Sequence, residues 1–258
     1  MFIDSHCHLD SSDFHGDLDV LVKRAIEIDV GIIVNVGTKI LEFNKILELV
    51  NQYDNVYCTV GLHPHEVTDT TVANIAQLVT MSEHPKVIGF GETGLDYFYN
   101  KKLSTQQQIS FRNHIKASRI TGLPIIIHTR DADEDTISIL IEEATIGPYS
   151  GLIHCFNSDQ QFAKKVIALG LYISLSGIIT FNNAENLRET VRGLQLDRLL
   201  IETDAPFLTP VPNRGLRNEP AFIVHTAKKL AELKNLELSD IATITTENFF
   251  RLFTKILQ

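Results

Sequence analysis

Positive charge is in short supply in this chain of 258 residues: 32 Asp and Glu outweigh 23 Lys and Arg, leaving a formal net charge of -9. Long-range attraction therefore does not draw in a polyanion. A nucleic-acid partner has to be held locally, and a bound divalent ion suits that task because it inverts the local field. Cysteine is scarce as well. Cys7, Cys58 and Cys155 are odd in number, widely spaced and outside any paired-cysteine motif, which excludes a disulfide framework and a cysteine-only zinc site and predicts free thiols. No apolar run reaches the length of a bilayer span. The first ten residues carry His and Asp where a secretory signal has a basic and then an apolar stretch, so a soluble, cytoplasmic protein with no membrane contact is expected. Ser/Gly linkers, low-complexity tracts and repeats beyond a strand-helix unit are missing too. With 44% hydrophobic residues, 1–258 reads as one domain with a sizeable core and no evident obligate protein partner.

What is present is an alternation of two periodicities. Short β-branched, apolar runs predict strands at Met1 to His6, Gly31 to Val36, Val56 to Gly61, Val87 to Gly91, Pro124 to His128, Gly151 to His154, Leu171 to Leu175 and Arg198 to Glu202. Between them, apolar residues three and four apart predict covering helices, for example through Phe43, Ile46, Leu47 and Val50, through Ile137, Leu140, Ile141 and Ala144, and through Phe162, Val166 and Ile167. Eight nearly continuous apolar strands in this length of chain predict an α/β fold, a (β/α)8 TIM barrel. A doubly wound open sheet needs a Gly-rich phosphate turn after its first strand, and here that stretch reads His6, Cys7, His8, Leu9, Asp10. Pro206 to Pro220 reads as a long loop after the last strand.

Six of the ten histidines, His6, His8, His63, His65, His128 and His154, fall at or just past the C-terminal end of a predicted strand, and Glu92 and Asp204 do the same. In a barrel those ends share the one rim where active sites are built. His6 and His8 point to one face of their strand, so one ion can take both. A mixture of imidazole and carboxylate suits zinc, manganese or iron, whereas magnesium prefers oxygen. Glu92 follows an apolar strand, where a carboxylate needs a partner: either a nearby Arg or Lys, or a pair of cations that it bridges. His128 and His154, alone, read as satisfied core residues; together and facing Glu92 they suggest a second ion site. Asp204 is either a turn residue before Pro206 or a ligand that also accepts a proton from the attacking water. Glu202 reads as a residue that orients a ligand.

Taken in order, these residues resemble the TatD family of metal-dependent deoxyribonucleases, within the amidohydrolase-like barrels, along nearly the whole chain. The resemblance rests on Asp4 to His8, Gly61 to His65, Gly91 to Tyr97, His128 with Arg130, His154 to Phe156, Ser176 and Gly177 with Phe181, and Glu202 to Pro206. It implies that His6, His8, Glu92 and Asp204 hold one divalent ion and that Glu92, His128 and His154 hold the other, with Mg or Mn aiding the reaction; the donor chemistry keeps Zn as a third candidate. It also implies hydrolysis of DNA phosphodiester bonds, typically exonucleolytic, with Asp204 and Glu92 catalytic. Glu92 stands where other amidohydrolase-like barrels carry a carbamylated lysine, which argues against a phosphotriesterase or dihydroorotase. Asn182 and Leu216 replace basic residues common in the family, which lowers the number of phosphate contacts expected.

Several rim residues keep two readings. Arg130 clamps a phosphate oxygen or pairs with Asp131 or Asp133; His63 and His65 contact a substrate phosphate, support the ligand residues or form a structural turn around Pro64. Ser176 and Gly177 cradle a phosphate or form a tight turn, and Arg214 and Arg217 track the nucleic-acid backbone or solvate their loop. Tyr97, Phe98 and Tyr99 stack a base or pack on the rim. Two other functions fit the same motifs: a metal-dependent hydrolase of a small phosphorylated or ester substrate, and a non-catalytic metal-binding regulator.

Overall fold

A computed structural model describes residues 1–257. Each apolar run forms a strand: β1 (Phe2–Cys7), β2 (Val30–Asn35), β3 (Val56–Val60), β4 (Val87–Asp96), β5 (Ile125–Arg130), β6 (Gly151–Ile153), β7 (Tyr172–Leu175) and β8 (Leu199–Ile201). Consecutive strands pair in parallel in chain order, and helices such as Leu18–Glu27, Ser104–Thr121 and Ile223–Lys234 cover the outside. The result is the expected (β/α)8 TIM barrel. Among the described residues no helix is long and apolar enough to cross a membrane.

Two apolar layers hold the barrel together. Ile3, Ile32, Val34, Ile88, Ile126, Leu152 and Leu200 fill its interior together with Phe249, Leu252 and Phe253 of the C-terminal segment, whose Phe249 and Phe253 rings stack at 4.5 Å. These residues lie near the N-terminal ends of the strands, so that end is plugged and the C-terminal end is left open for chemistry. The second layer lies between strands and helices. Phe43, Ile46 and Val50 face it as expected, but Ile141 and Ala144 point outward; the helix Asp133–Ile146 buries Thr136, Ile137, Ile139, Leu140 and Glu143 instead. Glu143 is carried inward by ion pairs with Arg112 (3.1 Å) and Arg119 (3.1 Å) on the neighbouring helix, which rotates the buried face away from the one that hydropathy alone selects.

β8 and β1 meet through a mixed seam. Asp204 N–H donates to the His6 carbonyl (2.9 Å) and His8 N–H to the Ala205 carbonyl (2.8 Å). Below them the Asp4 carboxylate accepts from the Thr203 amide (2.9 Å) and hydroxyl (2.6 Å). Burial pushes the Asp4 carboxyl up to about 7, with the Thr203 bonds pulling against it. The folded state therefore holds this proton more tightly than the unfolded chain, where the group titrates near 3.8. Its contribution to stability is full below that value and is lost as pH rises to about 7. Asp4→Asn is expected to remove this slope and to gain on the order of a few kcal/mol relative to the parent between about pH 4 and pH 7. Urea unfolding at several pH values tests this; parallel profiles for the two proteins would show that Asp4 is ionised throughout.

The strand limits differ from the sequence reading in a way that matters for the site. Two residues of β4, Gly91 and Glu92, lie between the pairs Phe90–Ile125 and Thr93–Ile127, opposite the single residue Ile126 of β5, and two of β1, Ser5 and His6, lie between the pairs Asp4–Ile33 and Cys7–Asn35, opposite the single residue Val34 of β2. Each is a bulge that re-aims one side chain. The first bulge contains Glu92 and the second contains His6. Gly91 makes the first bulge sterically feasible: its φ is +140°, and a Cβ there would lie 2.7 Å from the Ile126 carbonyl oxygen. Glu92 thus lies inside a strand that continues to Asp96, and not just beyond a strand end.

Candidate metal centre

The open end of the barrel holds a cleft of about 1520 Å³, and the strand ends deliver their polar residues to its floor. Glu92 is 3% exposed and is surrounded by imidazoles. Its Oε2 lies 3.4 Å from His6 Nε2 and 3.8 Å from His8 Nε2. Its Oε1 lies 3.3 Å from His63 Nε2, 2.9 Å from His128 Nδ1 and 2.9 Å from His154 Nε2. Asp204 closes the first group, with Oδ1 3.6 Å from His6 and 3.4 Å from His8. All six residues expected as ligands are therefore brought together. Among the described residues no Lys or Arg pairs with Glu92, so the ion-pair reading of this carboxylate falls away.

Backbone conformation contributes to the aim of these groups. Asp204 (φ +57°) and Cys155 (φ +45°) adopt the left-handed region, which is costly for residues with a side chain and clusters at functional sites. The turn at Cys155 lets its N–H donate to Glu202 Oε1 at 2.8 Å, while the same oxygen lies 3.3 Å from His154 Nδ1. Glu202 thereby fixes the ring so that Nε2 faces Glu92, in keeping with its expected orienting role.

The donor set fits a cation. His6 Nε2 and His8 Nε2 lie 3.3 Å apart; either one ring passes its N–H to the other, or both nitrogens accept a common ion. Three groups, His6/His8/Glu92, His63/Glu92/His128 and His6/His154/Glu202, each offer ligand atoms within 4.8 Å of one another. Mixed nitrogen and oxygen donors suit transition metals and zinc better than magnesium. His6 Nδ1 and Glu202 Oε2 are buried without a hydrogen-bond partner, a further sign that the cluster is built around something besides protein atoms.

Electrostatics agree. Burial alone would neutralise Glu92, but His154, His63 and His128 hold it ionised, well below the usual carboxylate range. Burial opposes charge on His8, yet Asp204, with Glu92 behind it, raises that ring to about 9. Asp204 is held low, its burial outweighed by His8 and His6. His6, by contrast, is pushed down, chiefly by burial and then by the neighbouring His154, whose ring stacks on it at 4.1 Å.

Some rim residues play parts that sequence reasoning left open or missed. His63 joins the ring of imidazoles around Glu92 and is not confined to the cleft wall. His65 lies further out and is more than one-third exposed, with Nε2 2.8 Å from Asp96 Oδ2. Asp96 was missed: it is fully buried, and the same Oδ2 lies 3.0 Å from His128 Nε2, so it orients the ring whose Nδ1 faces Glu92. The one available signal was its place in Gly91 to Tyr97, which says nothing about which way the carboxylate turns. Asp96→Asn is expected to weaken metal binding by about 10- to 100-fold without unfolding the protein, because the amide no longer sets the tautomer of His128. Metal titration followed by calorimetry checks it; unchanged affinity would reduce Asp96 to a cap for Tyr99, whose N–H it also accepts at 3.1 Å.

Packing distinguishes between the alternatives at several other rim residues. A Cβ at Gly177 would lie 2.2 Å from the Leu208 carbonyl oxygen, so close packing against the loop after β8 accounts for the glycine. Arg217 pairs with Asp17 (2.5 Å), and Arg214 donates to the Thr209 carbonyl (3.0 Å) and covers Phe181, so both tie down their loop. Arg130 pairs with neither Asp131 nor Asp133; its guanidinium lies over the Phe98 and Tyr99 rings on the cleft rim.

A (β/α)8 barrel that gathers imidazoles and ionised, buried carboxylates on the floor of an open cleft defines the class of barrel metallohydrolases. Residues 3–254 match the family model described as TatD related DNase, and the chain belongs to the TatD family of metal-dependent hydrolases. It is 42% identical over 254 residues to YcfH of Escherichia coli, an uncharacterized metal-dependent hydrolase, covering 97% of this chain and 95% of that protein. It is 33% identical over 257 residues to the 3'-5' ssDNA/RNA exonuclease TatD of Erwinia tasmaniensis, covering 95% and 97%. Among solved structures, the TatD homologue YjjV of Escherichia coli superposes with a TM-score of 0.89 at 30% identity, covering 98% of both chains.

Proposed function

We propose that this chain is a deoxyribonuclease that removes nucleotides from the 3' end of single-stranded DNA with two divalent ions. The observation that carries the reading is the division of labour within Glu92: Oε2 faces His6 and His8, and Oε1 faces His63, His128 and His154. One carboxylate with its two oxygens turned to separate donor groups is the arrangement a bridged pair of ions requires. The first ion is assigned to His6, His8, Glu92 and Asp204, the second to Glu92, His128 and His154, with His63 as a further donor. The exonuclease named in Erwinia supports the polarity and the unpaired substrate.

When bound, the ions supply Lewis-acid polarisation of the phosphate and make water easier to ionise. The protein supplies the rest. Asp204, held ionised at the cleft, accepts the proton of the attacking water. Arg130 turns the edge of its guanidinium to a non-bridging phosphate oxygen while its face rests on the aromatic rim. Glu202 and Asp96 keep the rings of His154 and His128 turned toward Glu92.

The test is digestion of a single-stranded DNA oligonucleotide, labelled at either end, with Mg2+ or Mn2+ and with chelator. A metal-dependent ladder from the 5' label, and release of only the terminal nucleotide from the 3' label, are expected. No cleavage by protein that demonstrably holds metal would overturn the reading in favour of a small-molecule substrate or a regulatory role.

A further inference from the structure

Outside the ligand cluster, the cleft walls carry Lys39, Lys45, Lys101 and Arg130 against seven carboxylates besides Glu92 and Asp204, four of them within 131–135. Lys39 is itself engaged by Glu42 (3.6 Å) and Glu66 (3.7 Å). Grooves that track a nucleic-acid strand are positively charged, so these walls offer an extended backbone little. Aromatic rings stand there instead. Tyr99 lines one side, 64% exposed and edge-on to His65 at 4.9 Å, with Phe98 against it at 4.8 Å. The Arg130 guanidinium covers Phe98 at 4.0 Å and Tyr99 at 5.0 Å. Phe207 lines the cleft beside His8, with 6.1 Å between ring centroids, and is 55% exposed.

Rings this open to water do not serve the core, yet their backbones are pinned. Tyr99 N–H donates to Asp96 Oδ1 at 3.1 Å, and the Phe207 carbonyl accepts from Asn218 Nδ2 at 2.6 Å. Exposed rings on anchored backbone, on both sides of the ligand cluster, are stacking platforms for which the backbone part of the ordering cost is already met. We infer that, apart from the scissile phosphate itself, the enzyme grips its substrate by the bases: Tyr99, backed by Phe98 and Arg130, stacks the nucleoside on the His65 side of that phosphate, and Phe207 stacks the one on the His8 side. The inference rests on the nuclease reading proposed above and narrows its substrate class to short, unpaired oligonucleotides. Bases inside a duplex have both faces stacked on their neighbours, and residues beyond the two stacked ones meet walls on which carboxylates outnumber cations.

The experiment compares kcat/KM for an oligonucleotide of about 12 residues, a dinucleotide, and the longer strand with its two 3'-terminal residues made abasic. The parent is set beside Tyr99→Ala, Phe207→Ala and Phe207→Leu, the last keeping apolar bulk without a ring. Binding is read in parallel, in chelator, from quenching of a 2-aminopurine dinucleotide. The dinucleotide should match the longer strand within a few-fold, and the abasic strand and each variant should lose about tenfold, mostly in KM. Equal cleavage of abasic and normal strands, or variants indistinguishable from the parent, would overturn base gripping while leaving the nuclease reading intact. If the parent cleaves no strand, the nuclease reading fails, and the quenching decides the rest: quenching that the variants lose keeps the platforms, and its absence removes them as well.

Discussion

Asp204→Ala is expected to lower kcat by about 10²- to 10⁴-fold, the range associated with a positioned general base, with secondary structure and thermal melting retained. Its carboxylate is the group on the cleft floor that is both kept ionised and partly open to solvent, whereas Glu92 is enclosed by five imidazoles. Removing it also strips one partner from His8, so that ring, held at about 9 by Asp204 and Glu92, should titrate lower in the variant. A histidine NMR titration separates this local effect from misfolding. A fully active Asp204→Ala protein would sink its assignment as proton acceptor.

Saturating divalent metal is expected to raise the melting temperature by on the order of 5–10 °C over chelator-treated protein. Linkage at a hundredfold excess over Kd stabilises by about 2.7 kcal/mol, and each kcal/mol moves the melting temperature of a domain of this size by about 2–4 °C. Glu92→Gln should abolish both the shift and turnover, because an amide presents a donor to one donor group and removes the charge that two cations share. The sign with pH follows from the same cluster. A proton on His8 must leave before the ring can ligate, so the shift shrinks as pH falls below about 9 and metal uptake releases protons. Differential scanning fluorimetry across pH, with and without chelator, measures both. Equal melting of Glu92→Gln and the parent in saturating metal would remove Glu92 from the ligand set.

The barrel and the donor residues were legible for one reason: both are written in local patterns. Continuous apolar runs such as Ile125 to Ile127 mark strands buried on both faces, and histidines that end such runs on neighbouring strands, as His128 and His154 do, gain meaning together that neither has alone. The alternation of His6 and His8 placed both rings on one side of β1, and they do converge, at 3.3 Å. Hydropathy failed where a charged residue is buried by partners distant in sequence. Glu143 turns inward because Arg112 and Arg119 await it, and Ile141 is left outside. Arg214 and Arg217 looked equally available to a nucleic acid, and only their contacts with Thr209, Phe181 and Asp17 assign them to the loop.

By itself, the sequence determined the eight-strand parallel architecture, the collection of imidazoles and carboxylates at one rim and the absence of a general attraction for polyanions, because composition, period and strand-end position are properties of neighbouring residues. Tertiary structure alone decided that Glu92 turns its two oxygens to different histidines, that Asp96 orients His128 from the side, and that Tyr99 and Phe207 stand exposed on opposite sides of the ligand cluster. Those outcomes depend on a bulge that adds one residue to β4, and on contacts across 32 to 36 positions of chain between Asp96 or Glu92 and His128. A one-residue offset in a strand exchanges its two faces, and no local pattern in the sequence records it.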